Sequence, residues 1–137
     1  MLNKKTQYAF KALEYLAQHK NEGPILISEI AKKKNIPLKF LENILLELKN
    51  DGILDSKKGK GGGYFLKLAP SRIPLARIIR KIDGPIAMLP CVSLYFYERC
   101  SNCDEKNCGL HDVMVLVRDA NLKILEKKTV ADLIRKN

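Results

Sequence analysis

Apolar residues recur along most of this chain at helical spacing. Between residues 4 and 19, Tyr8, Ala9, Ala12, Leu13, Leu16 and Ala17 fall on one face of a helix with a period of about 3.6, and polar residues fill the other. Glu22-Gly23-Pro24 breaks the pattern. Ile25-Leu26-Ile27 is a short apolar run, predicting a brief strand or an extended lead-in. Ser28 has the chemistry of an N-cap for a short helix to about Lys34, with Ile30 and Ala31 inward. Asn35-Ile36-Pro37 is a turn, and Pro37 is tolerated at the start of the next helix, where its missing N–H costs little. That helix runs to about Lys49. Leu38, Leu41, Leu45 and Leu48 form its buried stripe, which leaves Lys39, Phe40, Glu42 and Asn43 on its other faces.

After Asn50-Asp51-Gly52 the period changes. Ile53-Leu54 and Tyr64-Phe65-Leu66 flank a Gly-rich basic tip, which predicts a β-hairpin. A further helix is expected over about 75–82, ended by Asp83-Gly84-Pro85, and a longer one over about 110–127. On the longer helix Val113, Leu116, Val117, Ala120 and Ile124 share a face, while Leu122 and Leu125 carry apolar character onto a second. The run Val113–Val117 is β-branched enough to compete as a strand. Thr129 resembles an N-cap for a last short helix over 130–136.

Helix, helix, tight turn, helix and two-stranded wing is the order of a winged helix-turn-helix. In that arrangement one helix end reads base edges in the major groove, and lysines and backbone N–H groups hold phosphates. Lys39, Phe40 and Asn43 are placed to face the groove. Asn pairs bidentately with adenine, Lys contacts guanine or phosphate, and Glu42 can accept from a cytosine amino group or repel the wrong sequence. On the wing, Lys57, Lys58 and Lys60 stand with no acidic residue between Ser56 and Leu68, and Gly61, Gly62, Gly63 and Tyr64 complete the tip. An ordinary solvated hairpin has a similar composition. The tip lacks the following Lys-Ser/Thr and helix of a nucleotide-binding loop.

Charge strengthens the nucleic-acid reading. The chain carries a net +10 over 137 residues, which calls for a polyanionic partner, with nucleic acid ahead of an acidic membrane surface. The chain is 46% apolar, enough for a core without disulfide staples, and no run approaches the roughly 18–20 apolar residues of a membrane span. The first residues are not followed by an apolar signal region, so a cytoplasmic setting is expected, where thiols stay reduced.

All four cysteines lie in one short stretch, as Cys91-x8-Cys100-x2-Cys103-x4-Cys108, with His111 three residues further on. In a reduced setting such clustering reads as metal-binding or redox-active rather than as structural disulfides. The Cys-x2-Cys pair suits one tetrahedral metal or one edge of a cluster. Four thiolates suffice for zinc or iron–sulfur. His111 can replace one of them or simply cap the next helix. Arg99 and Lys106 are expected to lower the thiol pKa values. Cys100-Ser-Asn-Cys103 has the bare spacing of a redox dithiol but not its Gly/Pro context. No Ser/His/Asp or paired-carboxylate constellation stands out, so no enzyme is expected.

The stretch NIPLKFLENILLELKNDGILDSKKGKGGGYFL resembles the recognition helix and GGGY wing of the bacterial Rrf2 family of regulators, with its IscR, NsrR and CymR types. YAFKALEYLA, IIRKIDGP and the helix after the cysteines extend the resemblance over nearly the whole chain. It implies a homodimeric regulator of double-stranded DNA with a partly palindromic site. The helix near 110–127 would cross its copy at the dimer interface. Three cysteines would hold a [2Fe–2S] or [4Fe–4S] cluster, with Cys91 matching the first ligand and Cys108 the last. The middle ligand would be Cys100 or Cys103, and His111 stands where a variable fourth ligand occurs. The longer gap after Cys91, the fourth cysteine and Pro37 depart from the commoner pattern.

The expected protein is mainly α with a small β wing. Residues 1–84 form the winged helix-turn-helix, 85–109 a cysteine-rich metal or cluster loop, and 110–137 the dimerisation and C-terminal helices. It is expected to regulate transcription and to sense cluster, redox or nitric-oxide status. A structural zinc site without sensing is the alternative, and a thiol oxidoreductase a weaker one.

Overall fold

Three helices build the core because their apolar stripes close on one another. The computed structural model describes residues 1–101 and 104–135. Helix α1 (Lys4–Gln18) buries Ala9, Ala12, Leu13, Leu16 and Ala17 as the pattern predicts, and adds Tyr15 and Thr6. Thr6 is tolerated inside because its hydroxyl bonds Asn3 Oδ1 at 2.8 Å and Asp83 Oδ2 at 2.9 Å. Helix α2 (Ile27–Lys34) starts two residues earlier than a Ser28 cap would place it. Leu26 occupies the N-cap without a side-chain bond, so Ser28 is helical and solvent-exposed. Asn35 ends α2 in the left-handed region (φ 53°), a conformation that Asn tolerates better than most residues. Helix α3 (Leu38–Asn50) begins directly after this turn, with Pro37 at its N-cap. Leu41, Leu45 and Leu48 are buried as expected, together with Ile44, but Leu38 is exposed. Leu38 is the first residue of α3 and stays 44% exposed.

The wing is an antiparallel pair, β1 (Leu54–Lys57) and β2 (Gly63–Leu66), with Leu54 opposite Leu66 and Lys57 opposite Gly63. The run at Ile25 contributes a bridge rather than a strand. Ile25 and Tyr64 exchange both backbone hydrogen bonds at 2.8 Å, so β2 lies between β1 and residue 25. Helix α4 (Leu75–Ile78) continues into a π turn (Ile79–Asp83) closed by Gly84 N–H to Ile79 C=O at 2.9 Å. Helix α5 (Gly109–Leu125) settles the 113–117 ambiguity as helix. The last segment is one 3₁₀ turn (Val130–Leu133), shorter than expected. Thr129 N–H donates to the Asp132 carboxylate at 2.8 Å at its start. Val130 is fully buried in the α1–α3 core, and its N–H bonds Ile73 C=O at 3.0 Å. Beyond α5, the chain therefore returns to the core built by its first half.

Candidate functional site

The first half of α3 exposes Lys39, Phe40, Glu42 and Asn43 together. Its buried residues at 41, 44, 45 and 48 turn the remaining positions outward. Phe40 reaches back towards α1, its ring centroid 6.3 Å from that of Tyr8, and Lys4 Nζ stands 5.6 Å from the Tyr8 ring. Sequence periodicity assigns Tyr8 to the core face; the structure leaves it half-buried beside this surface.

On the wing Lys57, Lys58, Lys60 and Gly61 are exposed, whereas Gly62 is buried. A Cβ on Gly62 would sit 2.2 Å from the Lys57 carbonyl oxygen, and one on Gly63 (φ +143°) 2.3 Å from that of Ile25. These two glycines are required by the hairpin's own packing. Tyr64 packs against the core at the base of the wing.

The second feature is the cysteine loop. Cys91 lies in a 3₁₀ turn (Pro90–Val92) and is buried, at 7% exposure. Cys108 is the N-cap of α5, where its sulfur accepts the His111 N–H at 3.4 Å. The His111 ring then turns back, placing Nδ1 3.4 Å from Cys91 Sγ. Cys100 is exposed, and Cys103 lies outside the described residues. Among the described residues these donors meet in pairs, and no three His, Cys, Asp or Glu side chains converge in ligating geometry. Burial pushes the Cys91 thiol above its ordinary pKa, with Glu105, Cys100 and Cys108 adding to the effect. Arg99 and Lys106 are expected from the sequence to lower the thiols. At Cys91 the thiol is instead raised, by loss of water first and nearby negative charge second. The donor set, thiols and an imidazole gathered at a helix N-terminus, fits a thiophilic metal or an iron–sulfur cluster.

Sequence reasoning missed the residues that hold this loop. Arg118 Nη1 of α5 donates to the Val92 carbonyl at 2.9 Å, one residue from Cys91. Ser93 Oγ accepts the Phe96 N–H at 3.0 Å, and Arg80 stacks over the Tyr95 ring at 4.4 Å. Arginines in a basic chain carry no mark that singles them out. His19, which the pattern leaves on the polar side of α1, stacks on Tyr15 at 4.3 Å and contacts Glu22, remote in sequence from both features.

A family model described as an iron-dependent transcriptional regulator matches residues 2–136. The chain belongs to the Rrf2 family. A Rhodobacter capsulatus protein, named as an rrf2-like HTH-type transcriptional regulator, is 38% identical over 98% of this chain and 92% of its own length. The structure of CymR, the global cysteine regulator of B. subtilis, superposes with a TM-score of 0.80 at 28% identity, covering 97% of this chain and 95% of that one. T. potens IscR gives 0.77 at 26% identity, covering 97% and 85%. The winged fold expected from the sequence is therefore that of solved Rrf2 regulators. Among the described residues no helix is long and apolar enough to cross a membrane.

Proposed function

We propose that this chain is a homodimeric, sequence-specific DNA-binding transcriptional regulator whose cysteine loop holds an iron–sulfur cluster. The observation that carries the DNA reading is the exposed Lys39–Phe40–Glu42–Asn43 surface of α3 beside a wing bearing three exposed lysines. Two such surfaces related by a two-fold axis would read a partly palindromic duplex. The exposed apolar residues of α5, Leu110, Val113, Leu116 and Ile124, support pairing of two copies along that helix. Residues 85–109 are the sensing segment in this reading. Cys91, Cys108 and His111 would hold the cluster with Cys100 or Cys103. A bound cluster would supply a redox- and nitric-oxide-sensitive centre, while the chain's own residues orient the donors and shield Cys91 from water.

The deciding experiment is the visible spectrum, with iron, sulfide and zinc analysis, of protein purified without oxygen. A brown protein with matching iron and sulfide is expected. A colourless protein with one zinc per chain would replace the cluster by a structural zinc site, and a protein free of all three would remove the metal from the reading.

A further inference from the structure

The cysteine loop is tied to the DNA-reading half through Arg80. This guanidinium stands at the π turn, stacks over Tyr95 at 4.4 Å and pairs with Glu126, just beyond α5, at 3.1 Å. Tyr95 lies in the stretch between Cys91 and Cys100. Its backbone neighbours are pinned by Ser93 Oγ to Phe96 N–H and by Glu98 N–H to Pro90 C=O at 3.2 Å. The stack therefore reports the position of the turn that carries Cys91. Three residues along from Arg80, Asp83 Oδ2 accepts the Asn3 N–H at 2.9 Å and the Thr6 hydroxyl at 2.9 Å. Those bonds organise the N-terminus of α1, and α1 meets α3 directly, with Lys5 Nζ 2.9 Å from Glu47 Oε1.

A chain of contacts is not by itself coupling; a two-state element is also needed. In this proposal the π turn is that element. Its Gly84-to-Ile79 bond spans one residue more than an α turn, and such bulges cluster at functional sites. Relaxing it to α register would rotate the downstream residues by roughly 100°, carrying Asp83 away from Asn3 and Thr6.

We propose that Arg80 is a positioning residue that couples the cysteine loop to the α1–α3 unit. When Tyr95 moves with the loop, Arg80 releases the π turn, and Asp83 gives up the α1 cap. The inference rests on the loop being the sensing segment, but its test does not require a bound metal. Tyr95 is 68% exposed, so its replacement leaves the core intact.

The experiment is NMR-detected amide exchange on the full chain, comparing wild type, Tyr95→Leu and Tyr95→Phe. Tyr95→Leu should speed exchange at Asn3 and Gly84 by about tenfold, with Leu45 unchanged, while Tyr95→Phe keeps the ring and matches wild type. Faster exchange confined to residues 92–98 would overturn the proposal, as would equal effects of the two variants. Metal analysis that finds no cluster would sink the proposed sensing function instead. Unchanged Asn3 and Gly84 exchange in a cluster-loaded Tyr95→Leu protein would sink the coupling alone.

Discussion

Asn43 stands exposed on α3 with Lys39 beside it, one helical turn towards the N-terminus. If it reads adenine bidentately, Asn43→Ala should reduce discrimination between target and scrambled DNA by about 1–3 kcal/mol, measured as the ratio of two dissociation constants. Loss of affinity for both DNAs alike would make it a phosphate contact. Tyr15 carries a prediction about pH. Its hydroxyl donates to Glu29 Oε2 at 2.6 Å, and this bond, with burial, pushes its pKa from 10.0 to about 12. The folded state favours the neutral phenol. The bond's contribution is therefore complete below pH 10 and lost as pH rises from there to about 12. Denaturant midpoints should fall across that window, and Tyr15→Phe should flatten the fall. At this scale the sequence was legible where chemistry is rare: four cysteines in one stretch announce themselves. It was illegible where chemistry is common. Nothing distinguishes Arg80 or Arg118 from the other basic residues until each meets its partner. Leu38 shows the converse failure, since periodicity records a face but not whether anything packs against it.

Among the elements, α1, α3 and the hairpin were readable because their periods are clean. Helix α5 was harder. Its β-branched run at 113–117 suits a strand, and in the single chain the helix buries only Leu122. Leu116 is 69% exposed, which places its side chain outside the chain's own core. If α5 pairs two copies as proposed, Leu116→Glu should leave the circular dichroism unchanged and give a monomer in sedimentation, because a paired apolar seam cannot solvate two carboxylates. A sedimentation profile matching wild type would remove α5 from the proposed pairing. The π turn was invisible in the sequence. The pattern over 75–82 is simply helical, and nothing in it marks the extra residue in the turn.

For the whole molecule, the net charge of +10 is open to test at the wing, where Lys57, Lys58 and Lys60 are exposed. Replacing Lys58 and Lys60 by Ala should weaken binding to all duplexes. It should also flatten the slope of log affinity against log salt by roughly 2, since each lysine releases about one counterion. An unchanged slope in fluorescence anisotropy would mean that the wing does not touch DNA. The main elements came from the sequence alone: helices α1 and α3 with most of their buried stripes, where the wing turns and where the thiols gather. These depend on near-neighbour spacing and on residue types with few alternatives. Tertiary structure decided what spacing cannot encode. It brought Val130 back into the α1–α3 core, opposed His111 to Cys91, and set Arg80 between the cysteine loop and the α1 cap. Each of these contacts joins residues far apart in the chain. Only packing selects such pairs, because many side chains of the same kind compete for each place.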